Sequence, residues 1–386
     1  MTTYPRPTTP HEHLPELLRP VIEKYRDEAD ELRRLPDELV EQLRTNGAFR
    51  LNTPTELGGY ELPVASTVSL VERLARLDGP TAWNVWNLNA GFAAAFLPEA
   101  DAEMIFADGP DPMIAHSSQP GMLTPAEDGF MLSGEWRLVS GVHGAKWLAL
   151  LTILLEDGQP RMTETGPDVR FCLVPREAVE VRDTWHSLGM RGTDSNTVIA
   201  QNVPVKDTLA LKLDTKSRID RPLFRLPMVN QITSGGAAVV LGIARAAIDE
   251  VVALSLTKTG MDGAPLAHQP HIQSAIGRAV AQVDAARGLL LSTLGGLDAA
   301  AAENRASSEA ERGAVRSALS YAGEIGRAVI TAMYELSSST GVYESSRLSK
   351  LFRDGHVAAQ HATLAPAQYA LAGRTVIGLP ANDPNL

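Results

Sequence analysis

The stretch WHSLGMRGTDSNTVIAQNVPV, residues 185–205, contains a turn-like segment and then a run rich in β-branched residues from Thr197 to Val203. A run of this kind, bounded by turn residues, predicts a β-strand. Four similar runs precede it, at residues 130–139, 147–155, 169–174 and 179–184. No helix of crossover length separates the runs, so we expect a mainly antiparallel sheet between about Pro112 and Leu213.

Helical patterns lie on both sides of this β region. Apolar residues recur every three or four positions between Leu14 and Leu32, which predicts a long amphipathic helix. Further N-terminal helices are expected at residues 36–47, 67–77 and 82–97. Four Ala- and Leu-rich stretches follow the β region, at residues 225–257, 269–295, 307–337 and 346–372, and they predict a helix bundle.

The predicted fold is therefore α+β in three domains. An N-terminal helical domain covers residues 1–111, a middle antiparallel β domain covers residues 112–220, and a C-terminal four-helix bundle covers residues 221–386. Helices segregated from an antiparallel sheet are typical of α+β architectures rather than of alternating α/β folds.

Composition excludes several classes of protein. The 386 residues include 35 Lys and Arg against 46 Asp and Glu, a net charge of -11, which argues against nucleic acid or an anionic membrane as partner. Cys172 is the only cysteine, so no intrachain disulfide forms and a reducing compartment fits. The polar N-terminus has no secretory h-region, and the most apolar stretch, residues 235–248, contains Arg245. These features predict a cytoplasmic protein.

Several functional motifs are absent from the sequence. It has no G-x-G-x-x-G after a strand, no phosphate-binding P-loop and no G-x-S-x-G elbow. His356 and His361 are five residues apart, which places them on different faces of a helix, and no H-E-x-x-H occurs. We therefore expect no metal site.

Five segments, in the same order along the chain, resemble the acyl-CoA dehydrogenase superfamily. They are residues 35–62 with the Gly58–Gly59 pair, residues 132–147 (LSGEWRLVSGVHGAKW), residues 185–205 with L-G-M-R-G-T, residues 241–250, and residues 347–363 with the Arg353–Asp354 pair. The resemblance implies the order helices, sheet, helices, with flavin bound between the β domain and the bundle, and a homotetramer.

Dehydrogenases of this superfamily need a carboxylate base to remove the α-proton of a thioester. Their two positions for it correspond here to residues 358–363, which read AAQHAT, and to the first bundle helix. No Asp or Glu occurs between Gly355 and Asn382 or between Arg221 and Ile248. An acyl-CoA dehydrogenase that holds FAD and uses an atypical base is the alternative, and a non-catalytic flavoprotein scaffold is another.

His361 stands where the base is missing. The R-[DN]-x₆-H pattern from Arg353 to His361 and the S-G-x-W-x-x-x-S-G run from Ser133 to Gly141 resemble the two-component flavin hydroxylases of this superfamily. This implies reduced flavin (FMNH2 or FADH2) supplied by a separate flavin reductase. It also implies a C4a-(hydro)peroxyflavin, and oxygenation of a small-molecule substrate that is aromatic or heteroaromatic.

The resemblance also implies roles for individual residues. His361 is the expected acid or base, because an imidazole titrates near neutral pH, and Ser140 is expected to face flavin N5 or the peroxide; a structural histidine and a locally bonded serine are the alternatives. A helical spacing of four would place Arg353, Val357 and His361 on one stripe. The expected cofactor-binding residues are His116, Ser117, Ser118, Trp136, Ser140 and Arg353, and the expected substrate-binding residues are Trp86, Asn89 and Met113.

Overall fold

The computed structural model of the protein describes residues 3–164, 166–260 and 263–379. Its N-terminal part consists of helices α1 (Leu14–Leu32), α2 (Asp37–Thr45), α3 (Val64–Ala75), α4 (Gly79–Asn87) and α5 (Glu99–Ile105), with short 3-10 helices at His11–His13 and Ala90–Phe96. The strands are β1 (Ile114–Ala126), β2 (Gly129–Val139), β3 (Trp147–Glu156), β4 (Gln159–Pro160), β5 (Met162–Thr163), β6 (Gly166–Pro167), β7 (Val169–Pro175), β8 (Glu180–Arg182), β9 (Asn196–Val205) and β10 (Ala210–Lys212). The C-terminal helices are α6 (Pro222–Arg225), α7 (Met228–Ile232), α8 (Gly235–Thr257), α9 (Pro270–Ala302), α10 (Glu309–Ser337), α11 (Arg347–Ala358) and α12 (Gln368–Ile377).

The helix expected at residues 82–97 is instead two elements. The Asp78 carboxylate caps α4 by accepting the Thr81 amide at 2.9 Å, and the helix ends at Asn87. It does not continue because the Asn89 side-chain amide donates to the Val85 carbonyl at 2.6 Å. That carbonyl would otherwise accept the Asn89 backbone N–H, so the side chain displaces the next helical hydrogen bond. The chain then forms the buried 3-10 helix Ala90–Phe96.

The main sheet has the strand order β10-β7-β3-β1-β2-β9-β8, with β4 pairing to β3. The prediction of a mainly antiparallel sheet is correct, with one exception: β1 and β3 are parallel. Here β2 itself returns the chain between the two parallel strands, so no crossover helix is needed. The sequence pattern did not mark β1 as a strand, since it contains Pro120 and Gly121 and a register shift between Ser117 and Gly121.

Two of the four predicted bundle helices differ from expectation. The first begins at Gly235 rather than near residue 225, because Pro227 starts the separate helix α7. The fourth, expected at residues 346–372, is divided: α11 ends at Ala358 and α12 begins at Gln368, with Pro366 in the connection. His361 therefore lies outside any α-helix, and the predicted stripe of Arg353, Val357 and His361 does not form.

A buried group of charges joins the three parts of the chain. In this Lys350 cluster, Lys350 Nζ lies 2.6 Å from Asp354, 3.6 Å from Asp78 and 3.7 Å from Asp30. Asp354 also accepts the Met190 amide, which belongs to the middle part, at 2.5 Å. Burial alone would lower the pKa of Lys350, but the surrounding carboxylates outweigh it and raise that pKa, so the ammonium stays charged.

The change from helices to strands lies between Ile105 and Ile114, and the return to helices lies between Lys212 and Pro222. We keep the domain boundaries in these two connections as our proposal. Within the described ranges, no helix is both long and apolar enough to cross a lipid bilayer.

Candidate active site

Four rings from different parts of the chain meet edge to face. Trp83 and Trp86 of α4, His116 of β1 and His361 after α11 form this Trp–His cluster. The centroid of Trp83 lies 4.9 Å from that of Trp86 and 5.5 Å from that of His361. The centroid of Trp86 lies 5.7 Å from that of His361 and 6.0 Å from that of His116. The cluster lies where the N-terminal helices, the sheet and the bundle meet.

Local sequence explains why the two indoles face this junction. Residues three apart on a helix share a face, so the capped α4 presents Trp83 and Trp86 together. The first turn of α8 approaches them closely. A Cβ added at Gly235 would lie 2.1 Å from Cγ of Trp86, so only glycine fits there. At the neighbouring Gly236 a Cβ would lie 3.8 Å from His361 Nδ1, an ordinary contact distance.

The His361 ring is held by the residue two positions further along. Its Nδ1 accepts the Thr363 backbone N–H at 3.4 Å and lies 2.8 Å from the Thr363 hydroxyl oxygen. Because Nδ1 is an acceptor, the neutral ring carries its proton on Nε2. Burial lowers the pKa of His361 to about 4, so the ring is neutral at pH 7. This corrects the expectation of a pKa near neutrality.

His116 has the opposite proton placement. Its Nδ1 donates to the Asn87 carbonyl oxygen at 3.1 Å, which leaves Nε2 with a lone pair. Burial, with a smaller contribution from the nearby His361, lowers the pKa of His116 to about 4. The site thus contains two neutral imidazoles, one with an Nε2–H donor and one with an Nε2 acceptor.

Ser140 joins the sheet to the cluster. Its hydroxyl oxygen accepts the indole N–H of Trp83 at 3.0 Å and lies 2.8 Å from the hydroxyl oxygen of Ser195. Its carbonyl oxygen accepts the side-chain amide of Asn87 at 2.6 Å. Ser140 is thereby fixed between α4 and the start of β9.

A narrow apolar cavity adjoins the cluster through His116. Its volume is about 20 Å³. Its lining residues are Ala90, Phe92, Ala93, His116, Ala149, Phe171, Leu173, Leu211, Met228 and Ile232. His116 is the only polar side chain among them, so the lining suits an apolar group rather than a charged one.

A larger groove of about 690 Å³ lies between α1 and α2. It is open to solvent, is lined by Lys24 and several carboxylates such as Glu38 and Glu41, and shares no residue with the cluster. Among the described residues, no group of three or more His, Cys, Asp or Glu side chains is placed to hold a metal ion.

The structure gives Trp136 a different place from the one expected. The side chain is completely buried, donates its indole N–H to the Leu151 carbonyl at 2.9 Å, and packs on Gly121 and Gly134. A ring with no exposed surface contacts no ligand in this arrangement. We therefore correct its assignment from flavin neighbour to core residue of the sheet.

Two of the expected substrate residues lie away from the lining of the cavity. The Asn89 side-chain amide donates to the carbonyls of Ala48 and Val85, and its side-chain oxygen accepts the Leu51 backbone N–H. Met113 is buried with a left-handed φ of 44° at the entry to β1. Neither residue lines the cavity, so their contact with substrate stays a prediction, whereas Trp86 lies inside the cluster.

The remaining expected cofactor residues differ in their surroundings. Arg353 donates to the Leu188 carbonyl at 3.3 Å and lies 3.9 Å from Asp30, so its contacts tie α11 to the loop before β9 and to α1. Ser117 is buried and Ser118 is exposed, both directly after His116 in β1. Sequence reasoning did not identify Ser195, Thr363 or Gly235 as site residues; the Gly235–Gly236 pair inside a helical stretch is the signal that marks a close approach.

The residues at this junction suit a flat conjugated group with hydrogen-bonding edges. The Trp86 indole Nε1 is buried without a hydrogen-bond partner, which is a costly state unless a ligand completes it. The rings around it are aromatic, and the two imidazoles supply one donor and one acceptor. Fold and site together define a flavoprotein of the acyl-CoA dehydrogenase type.

Comparison with known families identifies the chain more closely. The acyl-CoA dehydrogenase N-terminal domain model matches residues 11–100, and the acyl-CoA dehydrogenase C-terminal domain model matches residues 234–366. The chain belongs to the acyl-CoA dehydrogenase superfamily and groups with its flavin-dependent monooxygenases. This confirms the family and the fold class expected from the sequence.

Individual relatives match over nearly the whole chain. Indole-3-acetate monooxygenase from Pseudomonas putida is 26% identical and aligns over 91% of this chain and 89% of its own. The oxygenase component of an FADH2-dependent resorcinol hydroxylase from Rhizobium sp. is 27% identical over 97% and 96% of the two chains. The structure of XiaF from Streptomyces sp., in complex with FADH2 and glycerol, superimposes with a TM-score of 0.88 at 26% identity, covering 97% and 98%.

Proposed function

We propose that this protein is the oxygenase of a two-component system. It takes reduced flavin, FMNH2 or FADH2, from a separate flavin reductase and inserts one oxygen atom of O2 into a small aromatic or heteroaromatic substrate. The observation that carries the proposal is the Trp–His cluster. It brings two neutral imidazoles and Ser140 together at the flavin-binding junction of this superfamily, and among the described residues no carboxylate bonds to either imidazole.

The chemistry of the two imidazoles supports oxygenation rather than dehydrogenation. Reduced flavin, when bound, supplies two electrons and the C4a carbon at which O2 adds. An imidazole with a pKa of about 4 is too weak a base to remove the α-proton of a thioester efficiently at pH 7. As a neutral Nε2–H donor, however, His361 suits hydrogen bonding to a reacting oxygen atom, and we assign it that role.

The cavity supports an aromatic substrate. Its walls are apolar side chains together with the His116 ring. Apolar walls suit an aromatic ring better than a charged group, and the free Nε2 of His116 is an acceptor for a phenol O–H or an indole N–H bound beside the cavity. The names of the indole-3-acetate and resorcinol enzymes are consistent with this class of substrate.

Rapid mixing of the protein with photoreduced FMN or FAD and O2 tests the proposal. We expect a transient absorbance of a flavin–oxygen adduct, because a flavin held against the buried Trp–His cluster would be protected from bulk water. Reoxidation of reduced flavin at the same rate with and without protein would refute the oxygenase assignment. Tight FAD in the purified protein, bleached by an acyl-CoA, would support the dehydrogenase alternative instead.

A further inference from the structure

A chain of three buried hydroxyl groups leads away from the Trp–His cluster. Ser140 Oγ lies 2.8 Å from Ser195 Oγ, and Ser195 Oγ lies 2.7 Å from Thr193 Oγ1. Thr193 Oγ1 lies 2.8 Å from the carbonyl oxygen of Met190. All three hydroxyl residues are at most 5% exposed, so water does not complete their bonding.

Counting protons fixes the direction of this hydroxyl chain. Two oxygens at 2.7–2.8 Å need one hydrogen between them, and the three contacts share three hydroxyl protons. The Met190 carbonyl has no proton, so Thr193 must donate to it. Ser195 must then donate to Thr193, and Ser140 must donate to Ser195.

The same count decides what Ser140 offers to a ligand. Its only proton is committed to Ser195, and one of its two lone pairs accepts the Trp83 N–H at 3.0 Å. One lone pair is left. Ser140 is therefore a hydrogen-bond acceptor on its ligand side and has no proton to donate there.

The carbonyl end of the hydroxyl chain is held firmly. The Met190 amide donates to Asp354 of α11 at 2.5 Å, and Met190 and Asp194 both have a left-handed φ of 54°. Non-glycine residues adopt this conformation only when their surroundings enforce it. The Met190 carbonyl therefore stays in place as the fixed acceptor that sets the direction of all three donors.

We infer that Ser195 and Thr193 are positioning residues that make Ser140 an obligatory acceptor, so that the site favours reduced over oxidised flavin. The inference rests on the proposed function. Reduced flavin carries a hydrogen on N5, which an acceptor binds, whereas oxidised flavin has a lone pair at N5, which an acceptor repels. Ser195 and Thr193 thus select the redox state of the flavin without touching it.

Anaerobic titration with reduced and with oxidised FMN and FAD tests this inference through the ratio of the two dissociation constants. Ser195→Ala frees the Ser140 proton to donate to oxidised N5, and Thr193→Val removes the acceptor that sets the direction of Ser195. Each should reduce the preference for reduced flavin by about threefold to tenfold, the equivalent of one hydrogen bond.

Three further variants distinguish an effect of hydrogen-bond direction from an effect of altered side-chain packing. Ser195→Thr and Thr193→Ser keep a hydroxyl and should keep the wild-type ratio. Ser133→Ala should keep it too, because Ser133 lies elsewhere on β2 and its hydroxyl bonds to Asn202 of β9. An unchanged ratio in Ser195→Ala and Thr193→Val, or an equal loss in the hydroxyl-retaining pair, would overturn the inference. Failure of the wild-type protein to bind any reduced flavin would instead overturn the proposed function.

Discussion

At the scale of single residues, the site depends on where two protons lie. His361 and His116 are both neutral, yet the hydrogen bonds at their Nδ1 atoms give them opposite tautomers. Hydrogen bonds with Thr363 and with the Asn87 backbone carbonyl decide the two tautomers, and no sequence motif singles out either partner. A donor and an acceptor are thereby presented by the same side-chain type.

Replacement of His361 by alanine should lower turnover by about 10²- to 10⁴-fold, the usual contribution of a proton-handling side chain. The affinity for reduced flavin should change little, since one imidazole is a small part of the binding surface. His361→Asn keeps much of the volume but places its N–H donor differently, so its turnover should also fall. Single-turnover hydroxylation and flavin titration measure the two effects separately.

His356→Ala is the matched control for that experiment. His356 lies in α11 with Nε2 3.0 Å from the Thr331 hydroxyl, and its ring centroid lies 4.3 Å from that of Phe352, outside the Trp–His cluster. Turnover close to that of the wild type is expected. Normal hydroxylation in the His361 variants would show that this histidine is structural.

Acid should destabilise the protein through both cluster histidines. Their folded pKa of about 4 lies below the ordinary value of 6.5, so between pH 6.5 and pH 4 the unfolded chain binds more protons than the folded one. The free energy of unfolding therefore falls as the pH decreases through this window, by roughly 2 kcal/mol for each ring. In urea denaturation, the free energy of unfolding of His116→Asn and of His361→Asn should depend less steeply on pH than that of the wild type. An unchanged pH dependence would contradict the low pKa values of the two rings.

At the scale of elements, the first turn of α8 forms one wall of the cluster. Gly235→Ala should destabilise the protein by about 1–3 kcal/mol, because the added methyl group would overlap the Trp86 indole. Gly236→Ala has room and should be neutral or stabilising by up to about 1 kcal/mol, since alanine favours helices. Thermal unfolding of the two variants, combined with tryptophan fluorescence, measures both effects. Equal stability of the two would contradict the close approach of Trp86.

Element boundaries show what the sequence can and cannot predict. Periodicity located α1, α3, α9, α10 and most strands, because burial on one face repeats along the chain. It missed the breaks at Asn89 and after Ala358, which depend on single side chains bonding to backbone groups. Trp136 was misplaced for a related reason: a motif gives proximity to the site but not which way an indole points.

At the scale of the whole molecule, two patches of exposed apolar side chains lie near opposite ends of α10. Helix α10 itself occupies the centre of the bundle, where α8, α9, α11 and α12 cover it. One patch contains Leu256, Val342 and Tyr343, near the C-terminal end of α10. The other contains Val376 and Ile377, near its N-terminal end, roughly 40 Å away along this 29-residue helix.

We expect these patches to be subunit contacts in a homo-oligomer, a dimer or a homotetramer. Light scattering at micromolar concentration should give a multiple of 41.4 kDa. Tyr343→Glu or Ile377→Glu should lower that mass, because a buried charge opposes association. Leu17→Glu, at an exposed position of α1 outside both patches, is the control. A monomeric wild-type protein would refute the prediction.

The Lys350 cluster links α1 and the start of α4 to α11 and thereby governs how these helices separate. Separating α1 or α4 from α11 would leave buried carboxylates without the lysine that neutralises them, at a cost of several kcal/mol. Partially open forms should therefore be scarce. Backbone amide hydrogens in α1 and α11 should have similar protection factors against exchange with deuterium, because both helices would open in one shared unfolding event. The junction that holds the Trp–His cluster is thus kept closed by an ion group that lies outside the cluster.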